Sequence, residues 1–261
     1  MSLQDGTFWP KLKPHHPLRV AFAGVVDLIL PPDGFDGGER PMTSGYSAQA
    51  WSRIDFLEAP VCDGCGLPYP YDQGAGVRCP ACMARPRAFA RARAACLYDE
   101  ASRDLVLKLK HVDRPELGRL FALWLSRAAA ELLAEADAIA PVPLHRSRLF
   151  ARRYNQAAEI ARPLSRLSHR AYLPDVLVRG RATSSQGGKS GRGRRINVKG
   201  AFHVPPARRG RVEGRRVLLV DDVLTTGATA EACAKALLAA GAVAVDLAVV
   251  ARVREATDLT I

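Results

Sequence analysis

Residues 217–229 read VLLVDDVLTTGAT, an order that places acids, hydroxyls and backbone donors together at a strand end. Four apolar residues make a strand, Asp221 and Asp222 stand at its carboxyl end, and Thr225, Thr226, Gly227, Ala228 and Thr229 turn into a helix. Open α/β sheets bind ligands at such strand ends. Consecutive backbone N–H groups of the turn and its three hydroxyls can converge on one phosphate, and the helix N-terminus adds positive potential. Gly227 permits the close backbone approach. Adjacent carboxylates beside such a nest suit the paired hydroxyls of a sugar or a hard divalent cation. Taken singly, these residues fit an ordinary strand and helix N-cap in which Asp222 and Thr226 hold backbone donors. Their order together points to a ligand.

A second constellation is Cys62-x2-Cys65 and Cys79-x2-Cys82, two knuckles separated by thirteen residues. Four thiolates close the shell of a tetrahedral Zn²⁺ and leave no position for substrate, so the expected role is structural. Gly66 allows the tight knuckle turn. Four exposed thiols without metal would be an oxidation liability, which favours one bound zinc over free cysteines. Cys96 and Cys233 lie outside the pattern and read as buried core thiols.

These groups need a scaffold. Residues 31–87 are rich in Gly and Pro and hold four of the six Cys, a texture that burial alone cannot hold together. Residues 93–98 read as a strand. Leu117, Leu120, Phe121, Trp124, Leu125, Ala128 and Leu132 recur at helical spacing over four turns. A short buried strand at 138–142 is followed by a helix at 154–167 that Pro163 should kink or shorten. Residues 180–214 read as a long loop with at most one short strand at 201–204, and loops of that length in a compact domain are functional or disordered. A strand from Arg216 to Asp222, an Ala-rich helix at 228–240 capped by Gly241, and a last strand at 243–253 complete the order. Strand, helix, strand argues for a parallel α/β sheet.

The chain has 261 residues, 48% hydrophobic and 25% charged, which excludes disorder as its main state. Its 38 Lys and Arg against 26 Asp and Glu leave +12, pointing to an anionic partner. Twelve of the basic residues, against the single acid Glu213, fall between Arg179 and Arg216. No apolar run reaches the length of a membrane span, so no membrane insertion is expected. Residues 20–30, behind Lys11, Lys13 and Arg19, imitate a signal peptide. Asp27 interrupts them, no small-residue cleavage site follows, and a short amphipathic helix ended by Pro31 and Pro32 fits better. Paired C-x2-C knuckles in a chain read as non-secreted imply a reducing compartment, hence a cytoplasmic protein.

The thirteen residues from 217 resemble the phosphoribosylpyrophosphate (PRPP) signature of type I phosphoribosyltransferases. The wider chain resembles the ComF competence proteins in its Pro-Pro-ended helix, its C-x2-C pairs, LKLKH at 107–111, PVPL at 141–144, RYNQA at 153–157 and N-x-x-GAF at 197–202. The resemblance implies a type I phosphoribosyltransferase fold, a parallel sheet flanked by helices, with an N-terminal zinc-ribbon module. The expected division is a helix and zinc-ribbon region at 1–87 and a phosphoribosyltransferase-like domain at 88–261.

By that resemblance Asp221 and Asp222 hold the ribose hydroxyls in the catalytic position, and Thr225 to Thr229 hold the 5′-phosphate of PRPP, which brings Mg²⁺. Pro143, Leu144 and His145, the turn after the strand at 138, resemble a pyrophosphate loop, His145 chiefly as a turn residue. Arg148, Arg152 and Arg153 either neutralise the diphosphate or form a solvated basic face. The basic loop resembles a mobile lid in which Lys189, Arg192, Arg194 and Arg195 reach the departing pyrophosphate, or it is a solvated charge run. The family commonly carries an earlier pair of knuckles. Here Gly34, Gly37, Ser47 and Ala50 occupy those positions, so the first ribbon has lost its metal and one zinc is expected, not two. Two functions follow. One is a PRPP-binding protein acting in DNA uptake, contacting single-stranded DNA or competence-machinery proteins through the zinc module and the cationic loop. The other is an active phosphoribosyltransferase on an unidentified nitrogenous acceptor, unrelated to DNA uptake. Among the basic residues of the loop only Phe202 offers an aromatic face, which weighs against base stacking but not against phosphate contact.

Overall fold

A computed structural model describes residues 51–111, 116–145, 149, 154–180, 198 and 200–254. The helix expected at 20–30, the positions expected of a first ribbon without metal, Arg148, Arg152, Arg153, Lys189, Arg192, Arg194 and Arg195 lie outside them. The described residues from 52 onward belong to one compact unit.

Its centre is a five-stranded sheet, entirely parallel, ordered β1-β7-β6-β2-β3. The strands are β1 (Ala92–Leu97), β2 (Ala138–Pro141), β3 (Ala171–Tyr172), β6 (Arg216–Leu224) and β7 (Ala244–Arg252). Helices cover both faces, so apolar residues dominate both sides of the strands instead of alternating with polar ones. Val217 and Leu219 pack with Cys233, Ala234 and Leu237 of the helix Ala228–Ala239 in one core cluster. Leu218 and Val220 point the other way and are equally buried. The helices Glu116–Ala128 and Gln156–Ser168 pack on each other and on the sheet.

Several sequence expectations need adjusting. The apolar periodicity from Leu117 belongs to two helices, Glu116–Ala128 and Ala130–Glu135, with a break at Ala129 whose φ of −116° and ψ of 25° leave the helical region. Pro163 stands inside its helix and does not end it, the helix continuing to Ser168. A proline N removes the donor for the carbonyl four residues back, here Glu159, and Gly118 of the facing helix packs against that oxygen. The helix at 228 is capped by Ala240, with Gly241 next at φ +98°. The N–H groups of Ala242 and Gly241 reach the carbonyls of Leu237 and Leu238 at 3.1 and 3.0 Å, a Schellman closure.

The long basic segment is framed by structure at both ends. β4 (Val178–Arg179) and β5 (Phe202–His203) form an antiparallel ribbon, and a 3-10 helix follows at Pro206–Arg211. Part of the cationic excess serves the fold. Arg208 and Arg211 pair with Asp175, and Arg216 meets the buried Asp246 at 2.9 Å.

Candidate functional site

β2 and β6 are neighbours, but the chain leaves them in opposite directions, β2 through its helix to β3 and β6 through its helix to β7. That is a topological switch point, and the loops diverging from it leave a crevice. A cleft of about 250 Å³ opens there, lined by residues 142–144, 155–157, 179 and 221–230.

Strand length decides which side chains face it. β2 pairs with β6 only as far as Pro141↔Val220, whereas β7 stays paired through Leu224↔Arg252. The strand therefore runs past the acids and does not end at them, and β2 diverges where Asp221 begins. Asp221 Oδ1 accepts the Asp222 N–H at 3.0 Å, and Asp222 Oδ1 accepts the Val223 N–H at 2.6 Å. Backbone donors thus orient both half-buried carboxylates. Behind them sits fully buried Cys233, whose thiol is held well above its ordinary value by burial and then by the charge of Asp221.

The turn reaches its helix through Gly227 at φ +75°, a left-handed conformation that favours glycine. Gly227 contributes no capping side chain, and the first amide bonded back into the helix is that of Glu231, to the Gly227 carbonyl at 2.8 Å. The preceding amides open the helix N-terminus at the crevice, where an anion is favoured. Thr225, Thr226, Gly227, Ala228 and Thr229 all line it together with Asp221 and Asp222. Leu144 lines the opposite wall, and His145 follows it, its carbonyl accepting the Leu149 N–H at 2.9 Å.

Four further residues reach or support the crevice without having been singled out from sequence. Asn155 and Gln156 line it from the start of their helix. Arg179 lines it too, buried with its guanidinium 5.3 Å from the Phe202 ring. Arg87 lies 139 residues before the turn and donates to the Thr226 carbonyl at 2.8 Å. The RYNQA run carried a signal for Asn155 and Gln156, but nothing local marks Arg87.

The four cysteines converge. One Sγ from each of Cys62, Cys65, Cys79 and Cys82 lies within 4.8 Å of all the others, with Cys65 and Cys79 at 3.7 Å. Tetrahedral Zn–S bonds of about 2.3 Å require S···S separations of roughly 3.8 Å, so the set fits such an ion. The knuckle closes through Gly66 at φ +68°, with its N–H on the Cys62 carbonyl at 2.8 Å. One of the four thiols, that of Cys62, is shifted toward the thiolate. Although burial opposes it, the backbone N–H groups of Cys79 and Cys65 bring Cys62 down to about 6, while burial pushes Cys79 and Cys82 up. Cys96 and Cys233 are buried away from this cluster.

A parallel sheet with paired acids and an open helix N-terminus at its switch point defines the phosphoribosyltransferase class. The family model of the phosphoribosyl transferase domain matches residues 127–260. The chain is 33% identical to the DNA utilization protein YhgH of Escherichia coli K12, over 75% of its own length and 86% of that protein's. It is 32% identical to competence protein F of Haemophilus influenzae, over 68% of its length and 83% of that protein's. Among solved structures, the glutamine PRPP amidotransferase of B. subtilis aligns at 21% identity with a TM-score of 0.37, covering 55% of this chain and 30% of that one. The chain belongs to the ComF family of phosphoribosyltransferase-domain proteins.

Proposed function

We propose that the chain binds PRPP, or a related phosphorylated ribose, in the crevice and serves DNA uptake or utilization. The observation that carries the ligand is the opening of residues 225–229 and the two backbone-oriented acids onto one cleft. The names of its relatives carry the biological role. In this reading Asp221 and Asp222 hold the ribose hydroxyls and Thr225 to Thr229 the 5′-phosphate. Leu144, His145, Arg148 and Arg153 belong to the diphosphate end, and Lys189, Arg192, Arg194 and Arg195 to a basic lid. Mg²⁺ carried with PRPP would supply charge neutralisation at the diphosphate. The four cysteines hold one structural Zn²⁺, and the division at residues 87 and 88 separates that module from the sheet. The protein works in the cytoplasm with single-stranded DNA and competence-machinery proteins as partners. No described helix is long and apolar enough to cross a membrane.

Calorimetry with PRPP and Mg²⁺ tests the ligand, binding being expected for wild type and lost in Asp221→Asn/Asp222→Asn. No heat from wild type would end the reading. Anisotropy with labelled single strands across a salt series tests the nucleic acid, with affinity falling as salt rises and falling further without Arg192, Arg194 and Arg195. Salt-independent binding, or none, would remove the electrostatic case. A second reading, turnover on a nitrogenous acceptor, is favoured by the ribbon that frames the basic segment, because residue 179 of its first strand lines the crevice. Pyrophosphate release in the presence of nitrogenous bases tests it.

A further inference from the structure

We propose that the four-cysteine module positions the phosphate loop, so that its metal and a phosphate at residues 225–229 bind cooperatively through Arg85, Arg87 and Glu231. This rests on the reading of the crevice as a phosphate site and extends it to regulation of that site.

The connection begins at the ligands themselves. Cys79 caps and Cys82 lies within a five-residue helix, Pro80–Ala84, that has no side-chain cap. So short a helix does not persist alone in water, and an ion on its two thiolates is what would hold it. Arg85 follows directly, its N–H on the Ala81 carbonyl at 3.1 Å, so its position depends on that helix. From there the Arg85 guanidinium donates to both carboxylate oxygens of Glu231 at 2.9 and 2.8 Å. Two residues later Arg87 Nη1 donates to the Thr226 carbonyl at 2.8 Å and stands 3.6 Å from Glu231.

Both contacts bear on phosphate binding. A peptide unit is planar, so fixing the Thr226 carbonyl oxygen fixes the opposed direction of the Gly227 N–H. The fit leaves little slack, since a Cβ on Gly227 would come within 3.3 Å of Arg87 Nη1. Glu231 supplies the electrostatic half. It stands in the first turn of the helix whose N-terminus faces the crevice, with its side chain only 9% exposed. A carboxylate there suits the helix dipole but repels an incoming phosphate. Arg85, Arg87 and Lys235, the last at 3.3 Å, surround it with positive charge. Two of those three cations leave from the cysteine module. If the module unfolded, the loop would lose its carbonyl clamp and the site would keep a negative charge beside its anion. Coupling between two ligands is reciprocal, so a bound phosphate must also tighten the metal.

The test measures Zn²⁺ affinity of the full-length chain by chelator competition, with and without saturating ribose 5-phosphate, alongside calorimetry of that sugar. The expected result is tightening of zinc by about fivefold or more in wild type, falling below about twofold in Arg87→Leu. Arg85→Gln, at a more exposed position, provides the same comparison if Arg87→Leu does not fold. Ribose 5-phosphate binding that leaves zinc affinity unchanged would overturn the coupling alone, as would full coupling in the arginine variants. Failure of the sugar to bind wild type would overturn the phosphate-site reading and the coupling with it.

Discussion

Asn155 Nδ2 donates to the Val142 carbonyl at 3.0 Å while its Oδ1 accepts the Ala157 N–H at 3.2 Å. One side chain thus ties the end of β2 to the start of the next helix, closing the base of the loop on one wall of the crevice. Asn155→Ala removes an N-cap and an amide donor together. A loss of about 1–3 kcal/mol is expected, read as a lowered Tm. PRPP should bind more weakly than that stability loss alone implies, because the loop is no longer closed. Unchanged PRPP affinity would confine Asn155 to a stabilising role.

Metal content is expected at one zinc ion per chain, and two would show that residues 33–50 keep a site of their own. Cys82→Ser, or removal of the ion by a strong chelator, should cost more than about 4 kcal/mol. The loss should reach the sheet, because Arg93 holds Asp63 at 3.1 Å and the Arg252 guanidinium holds the Cys65 carbonyl. Metal analysis of purified chain and a thermal melt before and after chelation check both statements.

Gly118→Ala should destabilise the pair of helices over the sheet. A Cβ there would lie 2.5 Å from the Glu159 carbonyl oxygen, a backbone atom that cannot swing aside. Overpacking of this kind costs about 1–3 kcal/mol. In a chain of this size each kcal/mol lowers Tm by roughly 2–4 °C. An unchanged melting temperature would mean that the helices part without strain.

Acid should weaken the junction between the cysteine module and residues 225–229. Burial raises the Glu231 carboxyl, but Lys235, Arg85 and Arg87 outweigh it and hold the group below its ordinary value of 4.5. A depressed folded pKa gives stability that is complete above the unfolded value and is lost as pH falls through the folded one. The wild-type chain should therefore lose stability as pH falls below 4.5 more steeply than Glu231→Gln. Denaturant melts of both chains between neutral pH and pH 3 would show parallel curves if Glu231 contributed nothing.

The parts of the site visible in the sequence were those carried on contiguous residues. Residues 217–229 hold strand, acids, turn and helix start in one run, and local geometry suffices to bring them together. The cysteine pairs were legible for a similar reason, since each knuckle is a local turn and four thiols have few other uses. Pro163 does not end its helix, and what packs on the Glu159 carbonyl it frees lies beyond local reach. That partner is Gly118, on another helix.

Composition, the order of apolar runs and two short motifs by themselves determined a parallel α/β sheet, a Thr- and Gly-rich turn opening a helix at a strand end, and a four-cysteine set. Only the tertiary structure decided that β2 leaves β6 where the acids begin, that Arg179 is buried into the crevice, and that Arg87 reaches Thr226 across 139 residues. Backbone propensity and periodicity act over a few residues. Contacts between distant segments depend on strand order and on where each strand stops pairing, which no single stretch of chain encodes.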